Sequence, residues 1–192
     1  MVMEPYLIYN SDMSYSLERF EADINTEDYI RDYVDVERFL ECCKACPNYG
    51  KVWSCAPYDF DPMEIWNSYE KLRVIGYRIT FGENRSREEM IDAEWKVKHK
   101  LGRELFEMEE QFPGSMHLSA GSCDICKVCT RKQGTPCAHP DLMRYSIESI
   151  GGNVAKTIED LCGIEIEWIE GDSLPEHFVL VGGLLMTGAY IS

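Results

Sequence analysis

The chain has 192 residues, a formal net charge of −15 and nine cysteines. A chain of this length buries roughly 70% of the surface of its unfolded form, so a single domain spanning residues 1–192 can fold without disulfide staples. The acidic balance, with no basic run longer than Arg131-Lys132, argues against nucleic acid or an anionic membrane as a partner.

The first half of the chain predicts two strands separated by helices and a cysteine-rich loop. PYLIYN, residues 5–10, is typical of a short strand. Apolar residues at helical spacing predict a helix within the acidic segment 18–41, with Thr26 as its cap. The pattern DPMEIW indicates a helix that starts at Asp61, and RVIGYRITF, residues 73–81, is typical of a strand.

The second half predicts two helices and three strands. A capping box and an apolar stripe indicate a long helix over 86–112, and MHLSAG, 116–121, is a short strand that leads into cysteines. A helix over 153–161 precedes two strands, 164–170 and 177–186, which we expect to pair as an antiparallel hairpin. This order predicts an α+β fold: one domain with a mixed β-sheet, packed helices and cysteine-rich metal loops.

The cellular location of the protein bears on the chemistry of its cysteines. The first fourteen residues carry no basic residue before their short apolar run, unlike a secretory signal. The longest apolar stretch, 178–189, is too short to cross a bilayer, which takes about 20 residues. We therefore expect a cytoplasmic protein without a membrane span, where clustered thiols favour a metal over a disulfide.

The segment CDICKVCTRKQGTPCAHP contains the stronger cysteine motif. Cys123, Cys126 and Cys129 recur at every third residue, and Cys137 follows after a wider gap. A continuous triple lets one loop reach three irons of a [4Fe–4S] cluster, as in bacterial ferredoxins, whereas zinc sites usually have separated pairs. The spacing favours iron–sulfur over zinc, with Cys137 as the fourth ligand or as a ligand of another site. His139 could substitute as a ligand, but we expect it to be an exposed loop histidine.

A second cysteine group precedes it in the chain, at Cys42, Cys43, Cys46 and Cys55. Adjacent side chains rarely converge on one small ion, so Cys43, Cys46 and Cys55 are the candidate metal ligands, without an identified fourth. A loop whose cysteines are merely buried is the alternative. We expect two separate metal sites rather than one shared site, and a core-packing role for Cys162.

Three segments of the chain resemble a known family. CKACPNYGKVWSCAPY, CDICKVCTRKQGTPCAHP and YSIESIGGNV, in this order, are similar to the motifs of an uncharacterised prokaryotic family described as predicted metal-binding proteins. The resemblance covers most of the chain from about Cys42 onward. The family usually has Cys-Pro-Pro where this chain has Cys55-Ala56-Pro57, and often a methionine where this chain has Ile147. These departures leave the cysteines intact, so the resemblance implies metal binding, without any particular reaction.

The sequence therefore supports two main functions. The first is a cytoplasmic [4Fe–4S] protein that carries electrons or supports a redox partner. Such a partner would bind the acidic surface of this chain through a basic patch of its own. The alternative is a structural zinc protein that acts as an interaction module. An enzyme that handles substrate at the three-cysteine site is a third option, and the oligomeric state is left open.

Overall fold

The computed structural model describes residues 6–8, 15–169, 171 and 173–188. Within these residues the strands are Tyr6–Ile8 (β1), Tyr15–Asn25 (β2), Lys71–Phe81 (β3), Met116–Leu118 (β4) and His177–Met186 (β5). The α-helices are Thr26–Tyr33 (α1), Val36–Lys44 (α2), Pro62–Asn67 (α3), Arg87–Gln111 (α4) and Val154–Cys162 (α5), with short 3₁₀ helices at Thr130–Gln133 and Glu148–Ile150. The strands form one sheet in the order β1-β2-β3-β5-β4.

The α+β class is confirmed, but the expected mixed sheet is wrong. Every described pair of neighbouring strands is antiparallel. β3, α4 and β4 do form a strand–helix–strand unit, and this unit suggested parallel pairing. However, β5 inserts between β3 and β4 and runs antiparallel to both.

The acidic segment ahead of Thr26 is strand β2, so the predicted helix starts only at Thr26. Its carboxylates face basic residues of β3: Glu18 lies opposite Arg78, and Asp23 is paired with Arg73 at 2.7 Å. Opposite charges on neighbouring strands stabilise the pairing, which the sequence of β2 alone does not reveal. Thr26 does not cap the helix through its hydroxyl, which instead donates to the carbonyl of Tyr69 at 2.5 Å.

The predicted hairpin of residues 164–170 and 177–186 is wrong. Residues 164–169 have no strand structure, and residue 170 lies outside the described part of the chain. β5 pairs along its length with β3, and β4 pairs with it only at residues 183–185, while the segment 164–169 makes no ladder with its remaining edge. The segment lies instead beside the start of β5, where Glu167 accepts a hydrogen bond from the backbone N–H of Glu176 at 2.6 Å.

The predicted helix caps, which depend only on residues close in sequence, are confirmed at Ser86 and Asn153. Ser86 and Glu89 form the predicted capping box of α4. The side chain of Asn153 accepts from the N–H of Lys156 at the start of α5. The predicted strand 5–10 is observed over 6–8, and its other residues lie outside the described part of the chain.

The sheet is covered on both faces. Leu72 and Val74 of β3 contribute to a core with α1, α3, α5 and the segment around Ile147–Ile150. The alternate residues Ile75 and Tyr77 pack with α4 on the other face. Residues 74–77 of β3 are buried on both faces, and this stretch of the strand is continuously apolar.

Candidate metal centre

The two cysteine groups lie in adjacent loops. The first cysteine loop, residues 42–60, begins in the last turn of α2 and leads to α3. The second cysteine loop, residues 119–146, follows β4 and is closed at its base by a bridge between Ser119 and Ser146. The N–H of Ser119 donates to the carbonyl of Tyr145 at 2.8 Å, so the ends of this loop are held together.

The second cysteine loop brings its four cysteines to one cavity. Cys123, Cys126, Cys129 and Cys137 all line it, together with His139. All four are partly buried and carry free thiols. Four sulfur donors around one space are the donor set that iron–sulfur clusters and structural zinc both use.

The space between these cysteines is small, about 20 Å³. This is little more than the volume that a single water needs. Trp53 of the first loop and Ile125 and Met143 of the second also line it. A polynuclear cluster therefore requires these side chains and the loop to move apart, whereas a single ion requires the sulfurs to draw together.

The first cysteine loop is less enclosed. Cys42 and Cys46 are exposed, whereas Cys43 and Cys55 are partly buried. Burial raises the pKa of Cys43, and the nearby Cys46 raises it further. Burial likewise raises the pKa of Cys55 to about 11. A hydrogen bond with Ser54 acts to lower this pKa, whereas the nearby Cys46 and Cys43 raise it further. Both thiols are thus protonated near neutral pH, and a metal would have to displace their protons.

Neither group is drawn tightly around a point. No three His, Cys, Asp or Glu side chains within the described ranges are placed to hold one metal ion. The fold brings the second group to one cavity and places Cys43, Cys46 and Cys55 within electrostatic reach of one another. The ligand assignments themselves stay predictions.

Arg131 joins the two loops. Its guanidinium lies in the second loop and donates to the carbonyl oxygens of three first-loop residues, Val52, Cys55 and Pro57. It also lies over the ring of Trp53, 5.0 Å from the ring centroid.

Further hydrogen bonds connect the same two loops. The N–H of Cys123 donates to Ser54 Oγ at 2.9 Å, and Asn48 Nδ2 donates to Ser122 Oγ at 3.0 Å. The two cysteine groups therefore belong to one connected surface, and only the second lines the cavity described above.

Glu148 was not identified from the sequence. It lies on the 3₁₀ helix that α2 packs against, and burial raises its pKa. Its charge acts on both Cys43 and Cys55, so it is a carboxylate that the fold brings to the first group. Glu148 follows the second loop by two residues and is distant in sequence from the first, which explains why spacing gave no signal.

Cys162 stands apart from both loops. It lies at the end of α5, where it packs against the core cluster that contains Ile158 and Ile164. Burial raises the pKa of its thiol to about 11. These features fit a packing role.

The chain belongs to the family described as "Predicted metal-binding protein (DUF2284)", which it matches over residues 24–186. The match includes all nine cysteines and begins earlier than the resemblance from Cys42 onward. Membership supports metal binding in general, without the identity of the metal. No curated protein and no solved structure matches the chain.

Among the described residues, no helix combines the length and the apolar character that a membrane span requires. The longest, α4, is rich in charged side chains.

Proposed function

We propose that the protein is a [4Fe–4S] protein in which Cys123, Cys126, Cys129 and Cys137 hold the cluster. The observation that carries this proposal is that these four thiols line one cavity. When bound, the cluster would supply one-electron transfer. The chain's own contribution is to hold the four thiols on a loop whose base is closed at Ser119 and Ser146.

The spacing of the cysteines along the chain supports a cluster over a single ion, because a continuous triple lets one loop reach three irons. A zinc ion needs four ligand atoms at about 2.0–2.3 Å from one point. A cubane spreads its ligands over separate irons, so the cysteines can stand further apart while they face one space.

The small cavity volume favours the alternative, structural zinc. A single ion fits a space of about 20 Å³ with less movement of Trp53, Ile125 and Met143 than a cluster does. In that case the metal would tie the loop together, and the protein would act as an interaction module.

Cys43, Cys46 and Cys55 form a second, weaker metal site in this proposal. Three thiolates leave one coordination position unfilled by cysteine. This site is separate from the first, because the first-loop cysteines are not among the residues that line the cavity of the second loop.

Electron exchange requires a partner, and the surface of the second loop suits one. Ile125 and Val128 lie between the cluster cysteines and are 42% and 55% exposed. An apolar contact there would suit a redox protein whose docking face is apolar at its centre. A cytoplasmic location belongs to this proposal, because clustered thiols stay reduced and available to a metal there.

The test is anaerobic purification followed by analysis of iron, acid-labile sulfide and zinc. We expect a brown protein with iron and sulfide in equal amounts. Cys126→Ser should lose the colour and most of the iron, because it removes the central thiol of the triple. Cys162→Ala is the matched control and should keep the full iron content. Colourless protein with stoichiometric zinc would contradict the cluster and support the structural zinc alternative. Iron loss in Cys162→Ala would show that Cys162 is a metal ligand.

A further inference from the structure

A cavity of about 310 Å³ lies between α4, β4 and the second cysteine loop. It is separate from the space between the four cysteines but reaches Cys123. Its volume is in the range of small-molecule sites, which begins at roughly 300 Å³. Apolar side chains, including Phe106 and Leu142, form part of its wall.

The charge of this cavity contrasts with that of the whole chain. Three permanently cationic side chains line it, those of Lys98, Arg103 and Arg144, against a single carboxylate, that of Asp124. The chain as a whole carries a net charge of −15. Glu109 bonds to Arg144 and His117 of this wall, so one unit of positive charge is left over, which in such an acidic protein favours a small monoanion.

Two of the three cations are already engaged. Lys98 is paired with Asp124 at 3.0 Å, and Arg144 is paired with Glu109 through two hydrogen bonds. Arg103 is exposed and makes no hydrogen bond or ion pair to the described residues. Arg103 is therefore the cation left for an anionic ligand.

His117 gives the cavity a second polar feature. It is only 1% exposed, and its backbone N–H and its Nδ1 both bond to Glu109, the latter at 2.5 Å. Burial lowers the pKa of His117 and outweighs the opposing effect of Glu109, so the ring is neutral near pH 7. Since Nδ1 donates to the carboxylate, Nε2 keeps a lone pair and can accept a hydrogen bond.

We propose that this cavity binds a small organic monoanion that has an apolar body and a hydrogen-bond donor, such as a hydroxylated monocarboxylate. The carboxylate pairs with Arg103, the body packs against Phe106 and Leu142, and the donor group reaches His117 Nε2. Glu109 and Arg144 position the imidazole. The site does not depend on which metal the second loop holds.

The experiment uses the metal-loaded full chain and 4-hydroxybenzoate as the probe, with binding measured by calorimetry. Benzoate lacks the hydroxyl donor, and 4-hydroxybenzamide lacks the charge, so both should bind more weakly. Arg103→Gln should lower the affinity for 4-hydroxybenzoate by about tenfold. It should also remove most of the preference for the acid over the amide. Lys96→Gln is the matched control, because Lys96 is an exposed cation of α4 that does not line the cavity.

His117→Phe tests the second contact, because it removes the acceptor, and it should abolish the preference for 4-hydroxybenzoate over benzoate. Arg103 is exposed, so its variant reports on binding even where the buried His117 variant fails to fold. The absence of saturable 4-hydroxybenzoate binding to the wild-type chain would overturn the proposal. Equal affinity in wild type and Arg103→Gln would overturn it as well.

Discussion

Replacing Arg131 by alanine should loosen both cysteine loops at once. This side chain donates from the second loop to three carbonyl oxygens of the first, those of Val52, Cys55 and Pro57. It also covers the ring of Trp53. No other described side chain makes this many hydrogen bonds between the loops.

The size of the effect follows from these contacts. A hydrogen bond from a charged donor contributes about 1.5–3 kcal/mol, and an exposed cation–π contact about 0.5–1 kcal/mol. The full sum overstates the loss, because Arg131 is only partly buried and water can solvate the released carbonyls. We expect loop opening to become easier by about 2–3 kcal/mol, which corresponds to about 30- to 150-fold faster exchange of protected loop amides.

Native-state hydrogen exchange measures this change directly. The amides of Gly50 and Cys55 report on the first loop, since they bond within it to Ala56 and Val52. Lys132→Ala is the matched control, because it removes an exposed neighbouring cation and should leave these rates unchanged. Arg131→Lys keeps the charge on a single ammonium, so it should give an intermediate result. Equal exchange rates in Arg131→Ala and Lys132→Ala would refute the role of Arg131.

Three further predictions concern stability, measured by urea unfolding. Trp66→Phe should cost about 2–3 kcal/mol, because it leaves the buried carbonyl of Ile150 without its indole donor; an unchanged midpoint would contradict this. Gly76→Ala should lower the free energy of unfolding by about 3 kcal/mol or more, since the added Cβ would lie 2.3 Å from a backbone oxygen. Gly102→Ala in α4 is the contrasting case: its Cβ meets open space, and the change should raise the free energy of unfolding by about 1 kcal/mol. Burial lowers the pKa of His117, so the unfolded chain takes up a proton that the folded chain does not. Stability should therefore fall as the pH drops below about 6.5, by up to about 1.4 kcal/mol per pH unit, and His117→Gln should lose this slope.

The parts of the fold that depend on neighbouring residues were predictable from the sequence. The capping box at Ser86 and the cap at Asn153 were both identified correctly. The alternating segment 164–169 resembles a strand, but sheet positions are decided by distant segments, and β3 and β4 already flank β5. Strand β2 was not predicted for a similar reason, since Asp23 and Glu18 find their basic partners, Arg73 and Arg78, 50 and 60 residues later.

In the candidate site, too, features set by nearby residues were predictable and contacts between distant segments were not. Spacing alone placed Cys123, Cys126, Cys129 and Cys137 in one loop, and the structure brings them to one cavity. The hydrogen bonds from Arg131 to the first loop were not predictable, because the accepting residues lie 74–79 positions earlier in the chain. Contacts of this range leave no local pattern of spacing or periodicity.

We propose that the second cysteine loop holds an iron–sulfur cluster without ligands from the first loop. The most direct measurement is the iron and acid-labile sulfide content of the folded Cys43→Ser/Cys46→Ser double variant after anaerobic purification. We expect this variant to stay brown and to keep iron and sulfide in a one-to-one ratio, with only part of the wild-type metal lost. A folded double variant without iron and sulfide, or one that holds zinc alone, would contradict it.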